Sequence, residues 1–295
     1  MQIPKIFSLA LFPILCNSLV TAPPRLVVLI PAYNEADRIG STLESYRNFL
    51  SSQDIWQCEI LVVDDGSSDS TSQVVKRSAD YNKRQNSAKV VPVDCVSLSR
   101  NQGKGGALSR GIRHVADANP GNDDIYILTQ DADGSGDLTY LNQMYGELQI
   151  LQGSGTTNKG NAPALVTGNR NYSLFSPRGV TRWGFQTCVS VIMGGLGVQD
   201  SQCGYKLMTL PAACLLYKDL HLKGWAHDVE VLYRAKLMAV PVAQISIDWL
   251  DKEGSKVLEA GVANVSAQML RDVLRLRWEY SITGAWKLPK SFHTS

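Results

Sequence analysis

The six cysteines of this 295-residue chain (Cys16, Cys58, Cys95, Cys188, Cys203 and Cys214) form no Cys-x-x-Cys pair. Their scatter argues against a zinc site and a disulfide framework, and it fits a reducing, cytosol-facing location. Charge of one sign is also lacking. With 29 Lys and Arg against 27 Asp and Glu, the formal net charge is +2, so nothing demands a nucleic-acid partner. No Gly-x-x-x-x-Gly-Lys-[Ser/Thr] occurs, which excludes a P-loop. The first apolar run has no glycine-rich turn after it, which argues against a nicotinamide-dependent dehydrogenase. Internal repeats and coiled-coil heptads are absent, and beyond residue 25 no apolar stretch approaches the length of a membrane span.

Residues 6–22 are mostly apolar and flanked by Lys5 and Arg25, but Pro13 and Asn17 interrupt them. Such a segment suits a short membrane anchor, a cleaved signal peptide or an unstructured leader. The anchor is the expectation, because export would carry unpaired cysteines into an oxidising space. The remainder is ordinary for a globular protein: 44% apolar and 19% charged residues are enough for a full core.

Two acidic clusters each close an apolar run: Ile60 to Asp69, and Ile125 to Asp133. A run of four to six apolar residues that stops at carboxylates looks like a buried parallel strand delivering charge to its C-terminal edge. Ligands bind at that edge in open α/β sheets. The spacing predicts strands at 26–31, 59–64, 90–94 and 125–129, with helices at about 36–50, 69–84 and 104–117 between them. This alternation indicates βαβ units and a sheet covered on both faces. Asp69 stands where it can cap the second helix. A Gly/Ser/Thr/Asn loop at 152–162 marks a seam. Beyond it, a strand at 164–168, helices around 178–195 and 226–238, and a strand at 240–249 are expected. Residues 262–284 carry Val265, Met269, Val273, Leu276 and Tyr280 at helical spacing beside Arg271, Arg275 and Arg277. That pattern suits a helix packed on the core or one lying on an anionic membrane surface.

Four polar edges follow from these strands. Tyr33, Asn34 and Glu35 follow Pro31 and Ala32, where the first ladder must end; helix capping alone would also explain Asn34 and Glu35. Asp64 and Asp65 are adjacent and repel unless donors or cations compensate. Gly103, Gly105 and Gly106 precede a helix, so backbone N–H groups can approach an anion, and Lys104 adds a formal charge. The third glycine of a dinucleotide fingerprint is missing, because position 108 is Leu. An extended chain cannot bring Asp131 and Asp133 to one spot, so a turn must begin there, and Gly134 and Gly136 supply it. Two carboxylates at such an edge suit Mg2+ or Mn2+ on a substrate diphosphate.

PAYNEADRI (31–39), VVDDGSSDST (62–71), RNQGKGGAL (100–108) and QDADG (130–134) resemble the inverting glycosyltransferases of family 2. GNRN (168–171), VQDSQCGYKL (198–207), GWAHDVEVL (224–232) and WLDKEGSKV (249–257) narrow the resemblance to the dolichyl-phosphate β-glucosyltransferases. MLRDVLRLRWEYSITGAW (269–286) is similar to that family's C-terminus, and the resemblance covers about residues 25–286. It implies a GT-A fold: α/β, with a Rossmann-like, mostly parallel sheet and helices on both faces. The nucleotide-binding half would span about 25–150 and the acceptor half about 163–286, between an N-terminal anchor helix within 1–24 and a tail at 287–295. It also implies glucose transfer from UDP-glucose to dolichyl phosphate, for protein N-glycosylation, at the cytosolic face of the endoplasmic reticulum membrane.

Carried onto this sequence, the resemblance implies that Pro31, Tyr33, Glu35 and Asp65 hold uridine, with Lys104 near the nucleotide. Asp131 and Asp133 would hold Mg2+ or Mn2+, Asp133 more closely. Arg170 and Arg182 would bind phosphates, Gln202 to Lys206 would form the loop under the sugar, and Trp225 and Asp228 would shape the glucose pocket. Asp133, Arg170 and Asp228 are the residues expected to carry the chemistry. The chain departs from the family at His227, where Phe is usual, at Asn169 instead of Ser, and at Gln130. Around Phe175 to Arg178 the pattern also differs, which leaves Arg178 as an alternative to Arg182. The sister activity with GDP-mannose and a non-catalytic nucleotide-binding scaffold are the competing functions.

Overall fold

β1 (Arg25–Ala32) and β4 (Ile125–Thr129) are almost uninterrupted apolar runs, and such strands need cover on both faces. The computed structural model describes residues 23–84, 89–122, 124–153, 162–171, 177–249 and 262–289. The hydrophobic segment 6–22 and the Gly-Ser-Lys element at 254–256 lie outside these residues, as does most of the loop at 152–162. Among the described residues no helix is long and apolar enough to cross a membrane.

The remaining strands are β2 (Gln57–Asp64), β3 (Val93–Ser97), β5 (Leu165–Arg170), β6 (Lys206–Thr209) and β7 (Val242–Ile247). They form one sheet in the order β3-β2-β1-β4-β6-β5-β7, in which β6 alone runs antiparallel to its neighbours. The helices are α1 (Ala36–Ser51), α2 (Thr71–Arg84), α3 (Lys104–Ala118), α4 (Leu141–Gly153), α5 (Pro177–Met193), α6 (Leu210–Tyr217), α7 (His227–Leu237) and α8 (Val262–Ser281). Alternate residues of β1 serve opposite cores. Leu26, Val28 and Ile30 pack with α1 and α4, whereas Val27 and Leu29 pack with α3. That second core also takes in residues of α5, α6, α7 and α8. α3 lies so close to the sheet that a Cβ on Gly111 would stand 2.4 Å from the Leu29 side chain.

Register brings the strand ends level. Ala32 pairs with Asp64 and Asp64 with Ser97, while Thr129 at the end of β4 pairs with Lys206 at the start of β6. The antiparallel strand therefore delivers its first residue, a lysine, to the edge where its parallel neighbours deliver their last.

Three local departures from expectation have physical reasons. β3 begins at Val93, not near residue 90, because Pro92 has no N–H to give to the ladder; its carbonyl accepts from Ile60 instead. β6 and α6 were not expected: the strand is only four residues long and passes straight into a helix. Thr209 makes that junction, its hydroxyl accepting the Ala212 N–H at 3.3 Å, with Pro211 in the first turn. α4 was also not expected, although Leu141, Met144 and Leu148 bury one face of it. Asp69 does cap α2, through the Thr71 N–H at 2.9 Å, and also accepts the Ala36 N–H of α1 at 3.1 Å.

Glu230 has a different place from that of a solvated helix acid. It is fully buried, pairs with the equally buried Arg234 at 2.8 Å, and accepts from the Leu222 N–H at 2.6 Å and the Tyr280 hydroxyl at 2.9 Å. Arg234 also donates from Nε to the Tyr280 hydroxyl at 2.8 Å and from its other nitrogens to the Leu216, Lys218 and Asp219 carbonyls. His221, isolated from other histidines in the sequence, joins this network through Glu230 at 3.0 Å and stacks on Trp286 with ring centroids 4.1 Å apart. The network fixes α8 to α7. Removing one partner of a buried pair leaves an uncompensated charge, so Glu230→Ala should lower stability by about 3–5 kcal/mol in urea unfolding. A loss below about 1 kcal/mol would mean that Arg234 is stabilised without it.

Candidate active site

The β1–α1 and β2–α2 loops are tied together before they meet any ligand. Asn34 adopts a left-handed conformation (φ 53°), donates its N–H to the Ser67 hydroxyl at 2.9 Å and accepts the Ser68 N–H at 2.8 Å. Glu35 starts α1 without capping it; its carboxylate grips Arg38 through two hydrogen bonds of 2.8 Å. Pro31 is half-buried and Tyr33 is exposed beside them.

Asp64 and Asp65 are both buried, and their repulsion is met by backbone donors. Asp64 accepts the Ser67 N–H at 3.0 Å. Asp65 accepts the Gln102 N–H at 2.7 Å and the Gly103 N–H at 2.8 Å, one on each oxygen. Burial raises the pKa of Asp65, the two N–H groups oppose that, and Asp64 adds to the rise. The clamp places the glycine loop over the sheet edge. Gly66 is needed there (φ 71°), since a Cβ would stand 2.6 Å from the Arg100 backbone carbon. The carboxylate expected at uridine thus already has a partner on each oxygen.

Lys104 opens α3 and pairs with Asp131 at 2.5 Å. Burial works against its charge, but Asp131 and Asp228 outweigh it and hold the lysine pKa above its ordinary value. Space for the pair exists because residue 204 has no side chain: a Cβ there would stand 2.9 Å from Lys104 Nζ and 3.2 Å from Asp131 Oδ1. Asp133 has neutral donors instead, the Ser135 N–H at 3.0 Å and its hydroxyl at 2.6 Å, both on Oδ1. Among the described residues no three His, Cys, Asp or Glu side chains gather into a cage. Two carboxylates at an open edge, one matched by a lysine, fit a hard divalent ion that takes its other oxygens from a diphosphate.

On the far side of the edge, Arg170 at the end of β5 is held by Asp200 through its Nε (2.6 Å) and Nη2 (3.0 Å). Asp200 is fully buried and also accepts from Gln186 at 3.1 Å and from the Gln202 N–H at 3.1 Å. Burial would raise the Asp200 pKa; the Arg170 hydrogen bond and charge outweigh it and lower it, and Arg182 acts in the same sense. The Arg170 guanidinium lies 5.5 Å from the Trp249 ring centroid. Asp200 lies in a motif read for its glutamine and lysine, and no role was expected for it. Its sign was an acid two residues before Gln202, in a loop that faces the arginine at the end of β5.

Lys206 and Asp228 form a buried ion pair, and Lys206 also donates to the Cys203 carbonyl. Burial would raise the pKa of Asp228, but His227, Lys206 and Lys104 hold it well below the usual carboxylate range. His227 is wholly buried, with Nδ1 2.9 Å from the Gly224 carbonyl and Nε2 3.4 Å from Asp228. Burial, together with Lys104 and Lys206, lowers its pKa despite Asp228. Trp225 stands exposed one turn before them.

Lys104, Asp131, Arg170 and Asp228 thus share one field, and Asp65 joins them through Gly103. Asp133 shares the Asp131 turn, which Thr42 of α1 braces by donating to the Ala132 carbonyl at 2.9 Å. Glu35 and Tyr33 sit apart on the β1 side, and the Gln202 side chain turns to α8, its Nε2 3.7 Å from Met269 Sδ. The Arg178 side chain lies outside the described residues.

Residues 27–152 match the Glycosyl transferase family 2 model. The chain is 32% identical to Dolichyl-phosphate beta-glucosyltransferase of Dictyostelium discoideum, covering 89% of this chain and 76% of that protein. It is also 32% identical to the protein of that name from Homo sapiens, over 90% of this chain and 79% of the relative. Among solved structures it is similar in fold to glucosyl-3-phosphoglycerate synthase from Mycobacterium tuberculosis in complex with Mn2+, UDP and glucosyl-3-phosphoglycerate. That likeness has a TM-score of 0.59 and 19% identity, covering 86% of this chain and 80% of the other. The sheet, helices and strand order are therefore those of an α/β, GT-A-like fold.

Unfolded, His227 takes up a proton near pH 6.5; folded, burial keeps it neutral below that. The unfolded chain then binds more protons, so stability should fall as pH drops from about 7 to about 5.5. His227→Phe should flatten that slope in urea titrations at each pH. An unchanged slope would show that the buried imidazole does not titrate as assigned.

Proposed function

The chain belongs to glycosyl transferase family 2, alongside the dolichyl-phosphate beta-glucosyltransferases, and from that premise we propose how its residues divide the work of transferring glucose from UDP-glucose to dolichyl phosphate. The observation that carries the reading is one electrostatic field at the carboxyl edge of the sheet, where Lys104 pairs with Asp131 at 2.5 Å and Asp200 holds Arg170 at 2.6 Å. A nucleoside diphosphate brings negative charge to one end of such a field and a phosphate monoester to the other.

The acceptor is already anionic at neutral pH, so the reaction needs alignment more than a strong base. Its phosphate oxygen attacks the anomeric carbon from the face opposite the departing UDP, and inversion turns the α-linked donor into a β-linked product. Arg170, held flat by Asp200, offers its guanidinium to a phosphate in fixed orientation. Arg182 adds charge on the same side. Asp131 and Asp133 would hold Mg2+ or Mn2+, which neutralises the diphosphate when bound. Lys104 lies against Asp131 and can follow the diphosphate charge as it develops. Asp228 is kept ionised by its neighbours, which makes it a weak base and a strong acceptor for sugar hydroxyls. Trp225 offers an exposed ring at the same mouth, and Gln202 and Lys206 belong to the loop beneath the sugar. Pro31, Tyr33, Glu35 and Asp65 line the uridine end, with Asp65 acting through the loop that it clamps.

The enzyme works on the cytosolic side of the endoplasmic reticulum membrane, anchored by residues 6–22, and its product serves protein N-glycosylation. This placement rests on the scatter of the cysteines, the apolar N-terminal segment and the lipid acceptor.

Incubation with dolichyl phosphate and each labelled sugar nucleotide tests the reading. Label should pass to lipid from UDP-glucose and stop with chelator; transfer from GDP-mannose alone would overturn it. Gly204→Ala, which pushes on Lys104 and Asp131, should lower transfer about tenfold or more while changing the melting temperature little. Full activity in that variant would remove the Lys104–Asp131 pair from the mechanism.

A further inference from the structure

Eleven large apolar side chains are exposed among the described residues; four of them sit on two helices, α5 and α8, and a fifth, Ile282, immediately follows α8. α8 carries Leu274 and Trp278, and Ile282, the first residue after it, continues their four-residue step by donating its N–H to the Trp278 carbonyl at 3.0 Å. At 100° per residue these fall with Arg271 and Arg275 inside an arc of roughly 100°. Arg271 and Arg275 are both exposed, and Asp272 and Glu279 lie off that arc. The opposite face, with Val265, Met269, Val273 and Leu276, is buried in the protein. α5 adds Trp183 and Val191, both more than half exposed.

The two helices that carry these side chains pack against each other and border the active site. α8 begins beside the sugar loop, where Gln202 Nε2 meets Met269 Sδ at 3.7 Å. α5 sets Trp183 next to Arg182, whose charge reaches Asp200, the partner of Arg170. Arg275 is engaged with Glu279 at 3.8 Å and its guanidinium lies 5.4 Å from the Trp286 ring centroid, yet it stays 65% exposed. Such a mixture of Trp, Leu and Ile with arginine is what settles at the boundary between headgroups and acyl chains. An acidic or neutral protein partner would not require the phosphate-binding arginines to be adjacent. A lipid acceptor does, because its tail stays in the bilayer while its phosphate reaches Arg170.

We infer that the exposed stripe of α8 and its C-terminal end (Leu274, Trp278, Ile282, flanked by Arg271 and Arg275), with Trp183 of α5, is a docking surface for a bilayer carrying anionic lipid. It holds the mouth of the site against the membrane. This inference rests on the glucosyltransferase reading for its purpose and on the exposed face for its geometry.

The full-length protein is bound to vesicles of phosphatidylcholine and phosphatidylserine containing brominated acyl chains, and tryptophan quenching is compared with that of Trp278→Phe. A second arm compares wild type with the combined variant Leu274→Ser, Trp278→Ser and Ile282→Ser. It measures transfer to dolichyl phosphate in vesicles and to a short, water-soluble isoprenyl phosphate. Docking predicts less quenching in Trp278→Phe. It also predicts a KM for vesicle-borne acceptor raised about tenfold or more in the triple variant, with kcat and short-acceptor kinetics unchanged. Equal quenching together with an unchanged vesicle KM overturns the docking surface, including the case in which sedimentation shows that the stripe joins two copies of the chain. If wild type glucosylates neither acceptor, the transferase reading fails, and quenching still decides the docking face.

Discussion

Carboxylates crowded at the end of a parallel sheet repel one another, and each must find a donor before the edge can bind anything. In this protein the loops provide different donors, and the difference sorts the acids by role. Asp65 takes two backbone N–H groups and so becomes the anchor of the glycine loop. Asp131 takes Lys104, Asp200 takes Arg170, and Asp228 takes Lys206. Among the described residues Asp133 has only the neutral donors of Ser135. The turn that presents Asp131 and Asp133 therefore has one acid matched by a cation and one with charge to spare.

The antiparallel strand β6 makes this arrangement possible. A parallel strand would bring its last residue to the edge, whereas β6 brings Lys206 at its start, with Gln202, Cys203 and Gly204 just before it. Gly204 leaves the gap that Lys104 and Asp131 fill, and the Thr129 hydroxyl holds its carbonyl at 2.6 Å. One reversed strand thus brings Lys206 and the gap that Lys104 and Asp131 fill to the same edge. α7 completes the edge by supplying Asp228 from its first turn, and the Glu230–Arg234 pair behind it ties that helix to α8.

Much of this was legible in the sequence. β1, β2 and β4 announce themselves as apolar runs ending at polar or acidic residues, and α1, α2 and α3 by apolar spacing. The glycine loop, the Asp-Ala-Asp turn and Asp69 as a cap were readable from residue chemistry alone. The second half was harder for a physical reason. β6 is too short to show a period, and α6 follows without an intervening turn. Glu230 and Arg234 look like a solvated (i, i+4) pair on α7, and only the packing of α8 over them reveals a buried hub. Asp200 could not be separated from its neighbours until Arg170 was seen resting on it. The role of Asp65 shifted in a similar way. An acid that reads as a ligand for a base is, in the folded chain, first a ligand for two backbone amides.

The division of labour between Asp131 and Asp133 is the central physical claim, and calorimetric titration of UDP into wild type and Asp133→Ala, each with Mn2+ or with chelator, tests it most directly. Wild type should bind UDP about tenfold or more tightly with Mn2+ than without, about 1.4 kcal/mol, and the variant should bind it equally in both conditions. Undiminished Mn2+ dependence in Asp133→Ala would contradict the claim and move the ion to other residues.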